Sequence, residues 1–476
     1  MWILKKLETS KEFWFIILTS LLFFLLRLPS LFEPLWYGDE GIYQVIGTSL
    51  NHGKQLYKEV FDNKPPLLYW LYSIFHSDQF AIRLVSLIAG LLSVIVFFFL
   101  SKKLFKDNGK KIHLLTTFVF GILFALPMLE GNIANAENFM LLPILISALL
   151  IFNNKLFTAG LLLGISFLFK IVAIFDLSAF LTFCFIVNFI SLKKEIKLFE
   201  IIKGFLIPIF LVFLLFAING AFFDFIKAAF ITNISYVSYG NKIGGFPFLL
   251  FIKLILLGAF ISYVFKKRTM LNKTTLFIIV WFAFSLFNTL FSQRPYTHYL
   301  LVLLPSFSLM TGLIFFDKKN QKLITIFFLI TLIALFNVFK IPSLKKNINY
   351  YQNFVAYVSG KKTMISYQKF FDRNTPFDYE IARFIKPKLN KNDTIFIWGN
   401  NAQLYQLTEV TAPTKYVVAY HITNYKDGIE TTKNGIEKTR PKFIVVMPNE
   451  QIPPFSLINY SKKIEIDKVI IYERIF

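Results

Sequence analysis

Two adjacent carboxylates, Asp39 and Glu40, open the stretch WYGDEGIYQVIGTSLNHGKQLYKEVFDNKPPLLYWLY at residues 36–72, and a lysine before two prolines, Lys64, Pro65 and Pro66, lies towards its end. A carboxylate at a membrane–water boundary can act as general base towards a hydroxyl. A nearby lysine can hold the phosphate of a lipid. Each residue also has a plainer reading. Asp39 suits the N-terminal cap of a helix, and Lys64 suits an interfacial side chain whose ammonium reaches back to water.

The elements that would position these groups follow from the same stretch. Ile42, Val45, Ile46 and Leu50 recur at helical spacing just after the carboxylate pair, which predicts an amphipathic helix lying along the membrane surface. Residues 65–75 hold Tyr69, Trp70 and Tyr72 in an apolar run too short to span, and such aromatics suit the interface. The expectation is two interfacial helices flanking a polar loop, directly beyond a first membrane span.

Composition supports the membrane. The chain has 476 residues, 55% hydrophobic and 17% charged, against about 25% charged in a soluble globular chain. The apolar residues gather in blocks near the length needed to cross a hydrocarbon core of about 30 Å. Eleven spans are expected, at 12–29, 79–101, 112–128, 138–152, 156–173, 175–190, 201–219, 246–265, 275–292, 298–316 and 322–340. The fold class is therefore an all-α polytopic membrane protein with a small α/β domain at its C-terminal end.

The net charge of +23 comes from 51 Lys and Arg against 28 Asp and Glu. Much of it sits in short clusters between apolar blocks, which argues for topology rather than nucleic-acid binding. With the N-terminus cytoplasmic, the inner loops hold Lys102, Lys103, Lys106, Lys110, Lys111, Lys193, Lys194, Lys197, Lys266, Lys267, Arg268, Lys318 and Lys319. The outer loops hold Lys54, Lys58, Lys64, Lys227, Lys242 and Arg294. The first block follows Lys5, Lys6 and Lys11 without a small-residue cleavage signal, so it is expected to be a retained span. Cys184 is the single cysteine, and it excludes a disulfide framework or thiolate metal cluster within the chain.

Three segments then lie outside the bilayer: 30–78, 220–245 and the tail from 341. The expected division is 1–340, a transmembrane part with the first outer loop, and 341–476, an extracytoplasmic soluble α/β domain. Strand-like runs at 394–398, 443–447 and 469–472 alternate with helical candidates at 379–387 and 402–407.

As a string, Asp39, Glu40, Tyr43, Gly53, Tyr57, Lys64, Pro65 and Pro66 beside a first span resemble the first outer loop of GT-C glycosyltransferases. The resemblance is to glycosyltransferase family 39, with the protein O-mannosyltransferases and the lipid A aminoarabinose transferases. Further likenesses are Asn135, Glu137 and Asn138 in the second outer loop, Lys170 near the outer end of a middle span, Arg294, His298 and Tyr299 opening a late span, and Trp398, Gly399 and Tyr405 in the tail. Two departures stand out. Glu130 competes with Glu137 for the second acidic position, and Ile42 replaces the basic residue of the lipid A transferases, which argues against aminoarabinose transfer.

What the resemblance implies is a GT-C fold and transfer of a sugar from a polyprenyl-phosphate donor to an acceptor hydroxyl, with inversion, at the extracytoplasmic face of the cell membrane. Asp39 would be the general base, with Glu40 as its catalytic neighbour. Lys64, Arg294 and Lys170 would hold the donor phosphate. Glu137, Tyr43 and His298 would face the acceptor or a cation. No cofactor is certain, and a divalent cation held by Glu40 and Glu137 is possible. The partners implied are the lipid-linked donor, membrane lipid and a protein, lipid or glycan acceptor.

Other charges have blander readings. Lys170 and Asp176 would form an ion pair stapling a turn, Arg294 would anchor at the interface, Arg27 would snorkel from the first span, and Arg83 would be structural. A multipass transporter or flippase of lipid-linked sugars is the alternative. Such folds carry internal repeats and polar groups at the midplane, whereas here no repeat is found and the polar residues gather towards one face. A sensor with an outer ligand-reading domain is the third reading.

Overall fold

The computed structural model of the chain describes residues 11–106, 111–191, 196–243, 245–341, 344–448, 450 and 453–475; Lys5, Lys6, Lys110, Lys193 and Lys194 lie outside the described residues. Helices stand at all eleven expected span positions. Seven of them are long and apolar enough to cross a membrane: Lys11–Phe32, Gln79–Leu104, Ile171–Ile190, Leu198–Ile218, Phe248–Lys266, Lys273–Leu290 and Gln321–Phe339. The chain is a multi-pass membrane protein.

The count of eleven is corrected in length at the other four positions, Ile112–Ala125, Ala136–Phe152, Leu156–Phe169 and Leu304–Phe316, which run 14, 17, 14 and 13 residues. Local chemistry explains two of the stops and one late start. Pro127 follows Ile112–Ala125 and turns the chain into a short 3-10 segment. Lys170 takes an extended backbone after Phe169. Residues Thr297–Val302 form a 3-10 segment, and the helix proper starts with Pro305 in its first turn.

By contacts the chain divides into two compact units. The first comprises Met1–Leu28, Val85–Leu215 and Thr232–Asn347; the second comprises Pro29–Leu84, Phe216–Ile231 and Ile348–Phe476. In this grouping the loop Pro29–Leu84 falls with Ile348–Phe476.

The first unit is a helical bundle with an aromatic interior. Phe97 and Phe120 stack with ring centroids 4.3 Å apart, and Phe277 touches Phe152, Phe180, Phe183 and Trp281. Helices Leu156–Phe169 and Leu198–Ile218 meet backbone to backbone. A Cβ at Gly160 would lie 2.1 Å from the Ile201 carbonyl oxygen, and one at Gly204 would lie 2.1 Å from that of Phe157. Small residues permit this approach between membrane helices, where packing rather than water exclusion drives association. Arg27, expected to snorkel, is instead fully buried and donates from Nη2 to Ser86 Oγ at 3.2 Å.

In the second unit a four-stranded sheet has the order β1-β2-β4-β3, with β1 Ile395–Trp398, β2 Phe443–Val446, β3 Tyr460–Ile466 and β4 Val469–Arg474. β1 and β2 are parallel and the other pairs antiparallel. β1 is buried along its whole length, as its apolar sequence requires. The β1-to-β2 crossover carries helices Gln403–Thr408, Ala419–Asn424 and Gly428–Thr439. Tyr405 seals it, its hydroxyl accepting the Ile397 amide at 3.1 Å.

The helix expected after the carboxylate pair is Gly38–Asn51, and the next is Leu67–Ile74. The first does not offer its apolar face to lipid. Ile42, Val45 and Ile46 are all buried by protein. Two glycines let neighbours close in: a Cβ at Gly41 would sit 2.7 Å from the Gln403 amide nitrogen, and one at Gly47 2.4 Å from Ser77 Oγ. The interfacial placement of Gly38–Asn51 is therefore corrected to a core helix of the second unit.

The glycine contacts of the first unit are testable. Gly160→Val or Gly204→Val is expected to cost at least about 1–3 kcal/mol through overpacking and to lower the thermal midpoint of the detergent-solubilised protein. Gly258→Val, where a Cβ meets nothing within 4 Å, is expected to leave that midpoint unchanged.

Candidate active site

Asp39 lies in the first turn of Gly38–Asn51, but it does not cap that helix: the capping position is Tyr37, without a side-chain capping bond. Its carboxylate is turned outward, with 38% side-chain exposure. One turn on, Tyr43 donates its hydroxyl to Asp39 Oδ2 at 3.1 Å. Lys64 Nζ stands 3.7 Å from the same oxygen and 4.8 Å above the Tyr43 ring. The sequence pairing of Asp39 with Lys64 is thus a spatial one.

Lys64 is held firmly. Its amide donates to the Tyr69 hydroxyl at 3.2 Å, and its carbonyl accepts from the Tyr57 hydroxyl at 2.7 Å. Tyr57 has a left-handed backbone with φ 68°, an uncommon state for a bulky residue. Burial pushes the hydroxyls of Tyr57 and Tyr69 well above the usual tyrosine range, so both remain protonated donors.

Sequence reasoning missed Asp62. It is 2% exposed, accepts the Tyr69 hydroxyl at 2.7 Å and lies 3.4 Å from Lys64 Nζ. His421, from the tail, places Nε2 3.7 Å from Asp62 Oδ1. The only sequence signal was position, two residues before Lys64 in Asp62-Asn63-Lys64-Pro65-Pro66. His421 has no such signal.

Glu40, expected as a catalytic neighbour, is held differently from Asp39. It is 4% exposed and gripped at both oxygens by Arg83, from Nε at 3.1 Å and Nη2 at 2.5 Å. Arg83 also meets Glu33 at 2.9 Å and donates to the Ser30 carbonyl at 2.7 Å. Glu33 in turn accepts from Trp36 Nε1 at 2.8 Å and the Tyr350 hydroxyl at 2.5 Å. The structural reading of Arg83 is met.

A second cluster forms in the first unit. Glu137, in the first turn of Ala136–Phe152, is 1% exposed and accepts from Lys170. Lys170 lies 4.6 Å from the Tyr299 ring centroid. The pair expected between Lys170 and Asp176 is not formed; Asp176 accepts from Trp281 Nε1 at 2.8 Å instead. His298 bridges the two competing acids, with Nδ1 3.0 Å from Glu130 Oε2 and Nε2 3.8 Å from Glu137 Oε1. Thr297 also donates to Glu130. Arg294 stacks over Tyr236 and Tyr239, at 5.2 and 5.6 Å, with its Nε buried and without a hydrogen-bond partner.

The divalent cation assigned to Glu40 and Glu137 does not fit these residues. Each carboxylate already holds a cationic side chain. Among the described residues no three His, Cys, Asp or Glu side chains group as a metal site.

Burial pushes His421 down to about 4 from its ordinary 6.5, with Asp62 opposing the shift. The unfolded chain takes up this proton near pH 6.5 and the folded chain only near pH 4. The stability is therefore whole above about pH 6.5 and falls as pH drops towards 4, by about 3 kcal/mol at the limit. In thermal unfolding across this window, His421→Gln is expected to show a shallower fall than the unmodified chain.

Comparison with known proteins places these residues in context. Residues 63–218, which include Lys64, Glu137 and Lys170, match the family model for dolichyl-phosphate-mannose-protein mannosyltransferase. Residues 378–471 match the "competence-induced protein Ccs4 C-terminal domain". No curated protein matches the chain. Among solved structures, ArnT from Cupriavidus metallidurans bound to undecaprenyl phosphate is 14% identical with a TM-score of 0.59, over 97% of this chain and 98% of that one. The oligosaccharyltransferase AglB from Archaeoglobus fulgidus, in complex with an inhibitory peptide and a dolichol-phosphate, is 12% identical with a TM-score of 0.45, over 92% of this chain and 69% of that one. The resemblance read from the first outer loop is met: the chain has the fold of ArnT, of GT-C type, and is similar to the protein O-mannosyltransferase group.

Proposed function

We propose that the chain is an integral-membrane glycosyltransferase that moves a sugar from a polyprenyl-phosphate donor to an acceptor hydroxyl. The observation that carries this reading is the outward carboxylate of Asp39 beside Lys64 and Tyr43. The whole-length likeness to the fold of ArnT, whose crystal structure holds undecaprenyl phosphate, supports a lipid-phosphate ligand.

In this reading Asp39 takes the proton of the acceptor hydroxyl, whose oxygen attacks C1 of the sugar. The bond between C1 and the phosphate oxygen breaks, and the lipid phosphate leaves from the opposite face, giving inversion. Cations aimed at the leaving group stabilise the charge that grows there. Lys64 is the cation beside Asp39, and Arg294 and Lys170 of the first unit are the further cations assigned this role in the reading. Among the three, Arg294 is the one without a carboxylate within ion-pair distance among the described residues, and its aromatic cradle leaves the guanidinium charge uncancelled. Tyr43 orients Asp39, and His298 ties Glu130 to Glu137 in the second cluster. No step runs through a metal. The membrane orientation proposed is a cytoplasmic N-terminus with residues 341–476 extracytoplasmic, in the cell membrane.

Asp39→Asn is expected to reduce sugar release from a polyprenyl-phosphate sugar by about 10²–10⁴-fold, with unchanged yield and detergent elution. An active, well-folded variant overturns the assignment. Lys64→Met is expected to weaken donor binding about 10-fold or more, the loss of one charge-assisted contact. Lipid movement between leaflets without sugar release, in reconstituted vesicles, establishes the flippase instead.

A further inference from the structure

The sequence placed its surface-lying helices in the first outer loop, yet the apolar face of Gly38–Asn51 is covered. The open face lies elsewhere. Helix Leu344–Val358 begins five residues after the span Gln321–Phe339 ends. Its aliphatic residues point outward: Leu344 is 71% exposed, Ile348 56%, Val355 59% and Val358 59%. Residues 344, 348, 355 and 358 fall on one stripe at about 100° per residue.

The protein-facing side is the polar one. Asn347, Tyr350 and Asn353 are buried. The Tyr350 hydroxyl donates to Glu33 at 2.5 Å, and Asn353 Nδ2 donates to the Tyr367 carbonyl at 3.3 Å. A third arc, with Lys345, Asn349 and Gln352, is exposed and hydrophilic. A helix serving an ordinary core would bury its aliphatic stripe and expose its asparagines. This one does the reverse.

We propose that Leu344–Val358 lies in the membrane interface, its aliphatic stripe in the acyl boundary and its Lys345 arc at the headgroups. Two observations favour lipid over a protein partner. The chain reaches the helix directly from a membrane-spanning segment, and five residues extend at most about 18 Å, which starts the helix near the bilayer surface. Basic residues cluster at both ends, with Lys340 before the helix, Lys345 and Lys346 in its first turn and Lys361 and Lys362 after it. Such clusters attract anionic headgroups. The aliphatic stripe with flanking lysines is the composition of an interfacial helix.

The inner side of this helix gives the seating a consequence for the site. Through Tyr350 and Glu33 it joins Arg83, which grips Glu40 next to Asp39.

The test uses the full chain in vesicles containing anionic phospholipid. An environment-sensitive fluorophore is attached at Ile348→Cys, Val355→Cys or Asn349→Cys; the native Cys184 is buried. All three sites are exposed, so folding is retained, and only protein eluting as the unmodified chain is used. The labels at 348 and 355 are expected to be quenched by bromolipid and protected from iodide at least threefold relative to the label at 349. Equal iodide quenching at all three sites overturns the proposal. So does protection at 348 and 355 without bromolipid quenching, which assigns the stripe to a protein partner or a second copy.

Discussion

The buried ion cluster of Glu33, Arg83 and Glu40 is the interaction on which the second unit depends. Removing charges from water is expensive, and taking either carboxylate from the buried Arg83 would leave an uncompensated charge. Here one guanidinium satisfies two acids and a backbone carbonyl. The cluster's three side chains come from just after the first span, the helix that follows and the second span. The cluster therefore fixes the start of Gly38–Asn51, and with it the direction in which Asp39 leaves the helix. Glu40 and Asp39 are neighbours in sequence with opposite fates: one carboxylate is neutralised inside, and the other stays in reach of solvent.

The two units hold their cations in different ways. Lys64 is held by backbone contacts to two tyrosines and by charge to Asp39 and Asp62. An anion arriving at Lys64 competes with two carboxylates for the ammonium. Arg294 follows the opposite design, lying on tyrosine rings that leave its charge intact.

Much of this was legible in the sequence where local pattern decides. The apolar blocks located eleven helices, and the string from Asp39 to Pro66 brought out the residues that meet in space. β1 and β2 were legible as continuous apolar runs. What escaped depends on partners distant along the chain. Glu40 reads as an active-site acid until Arg83, forty-three residues on, is seen against it. Asp62 acquires meaning only from Tyr69 and His421. β3 was missed because Ser461, Lys462 and Lys463 make it polar, as suits a strand at the edge of a sheet. The interfacial helix was sought where apolar spacing was strongest, but spacing cannot say whether protein or lipid will cover a face.

The close meeting of Leu156–Phe169 with Leu198–Ile218 bears on how the chain enters its membrane. A helix of 14 residues rises about 21 Å, less than the hydrocarbon thickness of about 30 Å. Such a segment is a poor substrate for insertion by itself. Its glycine contact with a 21-residue neighbour gives it a scaffold that is synthesised later. The early segment must wait for its partner, so biogenesis here is a matter of pairing rather than of one span after another.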